Sequence, residues 1–316
     1  MTDWNKIAFV FPGQGSQTVG MGKDLAEAYP VARQTFEEAD SILGFRLSDL
    51  CWNGPVDDLN DTINTQPALY TSGMAILRVL QAELPGAAPA FVAGHSLGEF
   101  TALAAAGALS FPDGLRLVRE RGRLMKEAGI KSPGAMATPL GLDADAVREL
   151  CARARQQTGG ILVLANDNCP GQTVISGDDE TIEAGMALAQ EAGARKVVKL
   201  AVSIAAHSPL MEPAAVEFRQ TLANTPFHAP QVTIYGNVTA APLESVDAIR
   251  DELDRQLTQS VRWTESVQAM NAAGVETFVE LGPGDVLCGL IKRINRDTKR
   301  IPLNSAEGVA QFITAG

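Results

Sequence analysis

Histidine, cysteine and positive charge are all scarce in this chain, and each scarcity removes a class of function. There are three histidines and four cysteines in 316 residues, and the cysteines, Cys51, Cys151, Cys169 and Cys288, form no C-x-x-C pair. That spacing suggests neither a zinc ribbon nor a disulfide framework, so no metal is expected and a reducing, cytoplasmic compartment fits best. With 26 basic against 37 acidic residues the net charge is -11, which denies the chain the broad basic footprint that nucleic acid or an anionic membrane requires. No apolar run reaches membrane-spanning length, and Met1 to Lys6 lacks the basic start and apolar core of an export signal. Neither export nor an anchor is expected. A nucleotide loop is also missing: Gly13-Gln14-Gly15 continues as Ser16-Gln17-Thr18 rather than to a third glycine, and no Walker lysine occurs.

What is present is a core. Hydrophobic residues make up 46% of the chain, enough for one large domain or a domain with an insertion. Lys6 to Phe11 reads as a strand stopped by Pro12-Gly13, followed by a helix from about Gly22 to Ile42 and another from Thr65 to Leu84. Ala90 to Ala93 reads as a buried strand, Glu99 to Leu109 as a helix, and Asp113 to Ala128 as a helix opened by Ser110. Such alternation implies a parallel sheet. From 132 to 200 the pattern tightens. Strands at Ala135 to Leu142, Ile161 to Ala165, Gln172 to Ser176 and Arg195 to Leu200 enclose helices at Asp143 to Gln156 and Asp179 to Ala192. This βαββαβ order predicts a ferredoxin-like subdomain inserted into an α/β body of residues 1–131 and 201–316. Val232 to Tyr235 and Thr277 to Glu280 are expected to resume the sheet, with helices at Asp247 to Gln256 and Val286 to Ile294.

Three features carry chemistry. Gly94-His95-Ser96-Leu97-Gly98 has the G-x-S-x-G form between strand and helix, which exposes a serine hydroxyl on a tight turn. Serine needs a base to act as a nucleophile. His95 adjoins Ser96 and should point elsewhere, and His228 lies between two prolines, so His207, in a loop after the last subdomain strand, is the better base. On the helix after Ser110, Leu115, Leu117, Val118, Leu124 and Met125 share one arc and Arg121 falls inside it. An inward arginine needs an anion. Glu99, Asp285 or a substrate carboxylate would each serve. The Gly13-Gln14-Gly15 loop is a third element, either a tight turn or half of an oxyanion hole in which the Gln14 and Leu97 N–H groups meet.

Phe11-Pro12-Gly13-Gln14-Gly15-Ser16-Gln17, Gly94 to Glu99, Arg121-Gly122 and His207-Ser208-Pro209-Leu210-Met211 together resemble the acyltransferase family of fatty acid and polyketide synthesis, in particular its malonyl-CoA:acyl carrier protein transacylases. Asn166 to Gln172, Val261-Arg262-Trp263 and Glu280 to Gly284 extend the resemblance over nearly the whole chain. It implies a Ser96–His207 pair without a carboxylate third member, His207 being oriented by the Gln256 main-chain carbonyl. It further implies that Arg121 grips the malonyl carboxylate, that Gln14 and Leu97 supply the oxyanion hole, and that Met125, Gln14 and Asn168 line the acyl pocket. The implied partners are malonyl-CoA and acyl carrier protein, with no resident cofactor and a monomeric enzyme. One position departs from the pattern: Ala206 stands where many malonyl-selective relatives carry phenylalanine, as in some polyketide acyltransferases that accept branched units. Two basic clusters are candidates for the acidic carrier, Arg116, Arg119, Arg123 and Lys126 on one helix, and Lys292, Arg293, Arg296, Lys299 and Arg300 near the end. The competing readings are an α/β-hydrolase thioesterase, whose histidine would normally come later in the chain, and a non-catalytic scaffold.

Overall fold

A computed structural model describes residues 3–200 and 204–315. Strand β1 (Ile7–Phe11) is buried along its whole length, as a parallel strand covered on both faces must be. It leads through α1 (Lys23–Ala28), α2 (Pro30–Leu43), α3 (Leu47–Asn53), α4 (Val56–Asn60) and α5 (Thr62–Glu83) to β2 (Phe91–Gly94). The single helix expected from Gly22 to Ile42 is two, because Pro30 has no N–H to continue α1 and instead opens α2. Helix α5 starts at Thr62 under an Asp61 cap, earlier than Thr65, and holds Pro67 within its first turns. Next come α6 (Gly98–Ala105) and α7 (Phe111–Lys131). Helix α6 stops short of Leu109 because Gly107 turns left-handed at φ +72° and Ala108 N–H returns to the Leu103 carbonyl.

The middle of the chain forms β3 (Ala135–Leu140), α8 (Ala144–Thr158), β4 (Leu162–Cys169), β5 (Gln172–Gly177), α9 (Asp179–Glu191) and β6 (Lys196–Lys199). These strands make a separate sheet in the order β4-β5-β3-β6, every neighbouring pair antiparallel. That is the ferredoxin-like order. Leu150, Ala154 and Ile182 of its helices pack on Leu162, Leu164 and Ile175 of its strands in a core of its own. The expected return to the body at residue 201 lies outside the described residues.

The remaining elements are α10 (Glu212–Asn224), β7 (Thr233–Tyr235), α11 (Val246–Gln256), α12 (Trp263–Ala272), β8 (Thr277–Leu281), α13 (Val286–Ile294), β9 (Lys299–Leu303) and α14 (Ala306–Ala315). Strands before and after the insertion form one parallel sheet, β7-β2-β1-β8-β9. A short bridge ties the antiparallel sheet to the segment between α11 and α12: Asp167 N–H donates to the Val261 carbonyl at 2.9 Å, and Val261 N–H to Ala165 at 2.8 Å. It holds the end of β4 against the C-terminal ends of β1 and β2, where ligands of open parallel sheets bind. Among the described residues no helix is long and apolar enough to cross a membrane.

Candidate active site

Ser96 occupies the left-handed region at φ +51°, a strained conformation for a residue with a side chain, typically worth roughly 1–3 kcal/mol. The glycines around it are required by close approach. A Cβ on Gly94 would lie 1.9 Å from the Gly98 backbone, and one on Gly98 would lie 2.0 Å from the Phe11 oxygen. Asn237, which sequence reasoning missed, clamps the turn: its Oδ1 accepts from Ser96 N–H at 2.6 Å and its Nδ2 donates to the Gly94 carbonyl at 2.7 Å. Its only sequence signal is a position just beyond β7.

His207, also left-handed at φ +58°, brings Nε2 to 2.8 Å from Ser96 Oγ. Its Nδ1 lies 2.8 Å from the Gln256 main-chain oxygen. A carbonyl only accepts, so Nδ1 carries the proton and Nε2 presents a lone pair to the serine hydroxyl. Burial, and secondarily the charge of Arg121, pushes the imidazole down to about 3. The ring is neutral at ordinary pH, the state a general base requires.

Arg121 is buried on α7, 1% exposed. Its Nη2 donates to Ser96 Oγ at 3.1 Å and to Gln256 Oε1 at 2.9 Å, and its Nη1 donates to Gln66 Oε1 at 3.0 Å. All three acceptors are neutral, and Nε has no partner among the described residues. Burial lowers the guanidinium to about 10, partly countered by Glu99, so it stays positive at neutral pH. Neither carboxylate weighed from sequence pairs with it. Glu99 instead accepts from Asn237 N–H at 3.1 Å and from Gln256 Nε2, while Asp285 sits at the start of α13.

Gln66 is a second missed residue, a polar side chain inside the buried run of α5. Its Nε2 donates to Met125 Sδ at 3.3 Å, so Arg121, Gln66 and Met125 form one lining. The loop after β1 lies against the serine turn, since a Cβ on Gly13 would be 2.5 Å from the His95 oxygen. The main-chain N–H groups of Gln14 and Leu97 make no hydrogen bond among the described residues, whereas the Gln14 side chain donates to Thr62 Oγ1 at 3.0 Å. Asn168 faces His95 rather than the serine, accepting from its Nε2 at 2.7 Å. Glu280 is structural: both carboxylate oxygens cap α13 through the N–H groups of Leu287 and Cys288.

Known proteins share this arrangement of chain. The acyl transferase domain family matches residues 8–310. The malonyl CoA-acyl carrier protein transacylase of Escherichia coli K12 is 46% identical over 305 residues, 96% of this chain and 98% of that one. That of Bacillus subtilis is 44% identical over 96% and 95%. The solved malonyl-CoA:acyl carrier protein transacylase of Xanthomonas oryzae superposes with a TM-score of 0.94 at 45% identity, over 100% of this chain and 99% of that one. A malonyl-transacylase solved in complex with a type II polyketide acyl-carrier protein superposes at 0.95 with 42% identity, over 98% and 100%. The chain belongs to the acyl transferase family and, within it, to the malonyl-CoA:acyl carrier protein transacylases.

Proposed function

We propose that this chain moves a malonyl group from malonyl-CoA to the phosphopantetheine thiol of acyl carrier protein through a covalent Ser96 intermediate. The observation that carries the reading is one oxygen with two neighbours: Ser96 Oγ lies 2.8 Å from the His207 base and 3.1 Å from a buried arginine that makes no ion pair among the described residues. A cation one hydrogen bond from the nucleophile is within reach of a carboxylate that a single methylene separates from the acyl carbon.

In the first half-reaction His207 Nε2 takes the hydroxyl proton as Oγ attacks the thioester carbonyl. The carbonyl oxygen becomes an oxyanion that the Gln14 and Leu97 N–H groups receive. On its collapse the carbon–sulfur bond breaks, and His207 returns the proton to the departing coenzyme A sulfur. The carrier thiol then reverses the sequence, losing its proton to His207 and attacking the malonyl ester, and Ser96 leaves with the proton restored. Every step uses groups of the chain, a thioester donor and a thiol acceptor, so no resident metal or redox cofactor enters. Met125 and Gln66 line the acyl side. Asn168 acts indirectly, by holding His95. A cytoplasmic site belongs to the same reading, supported by four unpaired, buried cysteines.

The two basic clusters differ in what neutralises them. On α7, Arg123 pairs with Glu120 and Glu127, Lys126 with Asp61 and Arg116 with Asp113, while Arg119 is bonded to Ile63 and Asn64. Among the described residues none of Lys292, Arg293, Arg296, Lys299 and Arg300 meets a carboxylate; Arg293 instead donates to Gln172 and to the Pro170 carbonyl, two residues from Asn168. An unneutralised surface bordering the cleft is the better match for an acidic carrier.

Intact mass after mixing with malonyl-CoA should show one malonyl adduct, on Ser96; folded protein without an adduct would sink the reading. Lys292→Glu with Arg296→Glu should then slow discharge to the carrier by about tenfold or more while the adduct still forms. The small Ala206, half-buried near Met136, Ala165 and Val174, favours a second reading in which methyl-branched malonyl units are also accepted. Acylation by methylmalonyl-CoA beside malonyl-CoA tests it.

The His207 environment adds a pH expectation. Its imidazole gains a proton only as pH falls toward about 3. Self-acylation should therefore stay flat from about pH 8 down to about pH 5, instead of halving near the ordinary histidine value of about 6.5. A stopped-flow profile with an acid limb near 6.5 would contradict this environment.

A further inference from the structure

Gln256 faces the catalytic groups from several sides at once. Its main-chain oxygen holds His207, its Oε1 accepts from Arg121 at 2.9 Å, and its Nε2 donates to the Ser96 carbonyl at 2.9 Å and to Glu99 Oε2. Glu99 itself is completely buried on α6. Its other oxygen accepts from Asn237 N–H at 3.1 Å, and Asn237 in turn clamps Ser96. The two donors to Glu99 thus come from different parts of the body, the loop after β7 and the end of α11. Each also touches the nucleophile turn.

Two properties of Glu99 follow from this placement. Burial and the neighbouring Glu252 push the Glu99 carboxyl well above the usual carboxylate range, against which the Gln256 and Asn237 N–H donors act; each oxygen accepts one of those N–H groups, and an amide in its place would turn one N–H against another. Glu99 is also kept from Arg121. The Gln256 amide lies between them, accepting from Arg121 through Oε1 and donating to Glu99 through Nε2, so the carboxyl group does not occupy the guanidinium fork. A direct pair would tie Arg121 to an internal anion and close it to an external one.

We propose that Glu99 is a positioning residue for acyl selection: it fixes the Gln256 amide and the Asn237 backbone, and through them keeps Arg121 at Ser96 and free for a substrate carboxylate. This inference rests on the reading of Arg121 as the malonyl clamp. Glu252 completes the buried surroundings, holding the loop after β7 through Val238, Thr239 N–H and Thr239 Oγ1.

The test is the ratio of kcat/KM for self-acylation by malonyl-CoA and by acetyl-CoA. In Glu99→Gln the preference for malonyl should fall roughly tenfold or more, mainly through a raised KM for malonyl-CoA, while Glu99→Asp, which keeps two oxygens and brings in no N–H, should keep most of it. Equal losses for both substrates, or an unchanged ratio in folded protein, would overturn the proposal. Should Glu99→Gln fail to fold, Gln256→Met decides the matter, since it retains the main-chain carbonyl and removes the bridging amide; its ratio should also fall. Arg121→Ala separates the two ideas. If that variant keeps the malonyl preference, the clamp reading fails; if it loses the preference while Glu99→Gln and Gln256→Met keep it, only the role of Glu99 fails.

Discussion

Ser96→Ala and His207→Ala should each slow malonyl transfer by roughly 10⁴- to 10⁶-fold, and the double variant should be no slower than the worse single one. The reason is the single 2.8 Å contact between Ser96 Oγ and His207 Nε2. Without the imidazole the hydroxyl keeps its proton and remains a poor nucleophile; without the hydroxyl the imidazole has nothing to deprotonate. The residual rate in all three variants comes from groups left in place, the Gln14 and Leu97 N–H donors and Arg121. Intact mass supplies an independent readout, because Ser96→Ala should show no malonyl adduct at any incubation time. Thermal unfolding must accompany the kinetics, since Ser96 sits at positive φ and His207 is bonded to Gln256. Losses that multiply in the double variant would show that the two residues act separately, and the shared proton transfer would be wrong.

The residues that reasoning from sequence reaches are those whose constraint is local or electrostatic. Gly94 and Gly98 mark the serine turn because any side chain there would collide with backbone within a few residues or on β1. Arg121 stands out because a charge inside an apolar helical arc violates a period of 3.6, and burial on α7 is the outcome. His207 needs only a choice among three histidines. Asn237, Gln66 and the side chain of Gln256 are a different case. They meet Ser96 and Arg121 across 141, 55 and 160 residues of chain, and a buried neutral amide leaves no charge conflict in a sequence pattern. Gln66 had the stronger signal, polarity inside a buried run of α5, and Asn237 only its place just beyond β7.

The same division runs through the fold. The inserted subdomain is legible because each of its short elements is bounded by its own turn residues and its whole sheet is built from one contiguous stretch of chain. The C-terminal β9 is not, since it lies at the sheet edge, opens on two consecutive charges, Lys299 and Arg300, and carries Pro302, which lowers its strand signal. Helices α3 and α4 are only seven and five residues long, too short for a periodic pattern to build.

Arg121→Ala should remove the preference for carboxylated acyl groups, lowering kcat/KM for malonyl-CoA by roughly 10²- to 10³-fold while acetyl-CoA loses far less. A charge-assisted, two-pronged contact at a buried site is worth more than a surface pair because water does not compete for it. Lysine should rescue only part of the loss. A guanidinium spans Gln66, Gln256 and Ser96 at once, whereas an ammonium is a point donor on a flexible stem. The same variant has a second readout that needs no carboxylate on the substrate. Arg121 is one of the charges holding His207 low, after burial itself, so its removal lets the imidazole rise toward its ordinary range. The acid limb of acylation by acetyl-CoA should therefore move to higher pH in Arg121→Ala than in the parent enzyme. A glutamine at the position tests charge against volume, because it fills much of the space and lacks the cation. If Arg121→Gln keeps the malonyl preference and leaves the acid limb where it was, Arg121 is neither the clamp nor a neighbour that His207 senses, and both arguments built on its burial fall together.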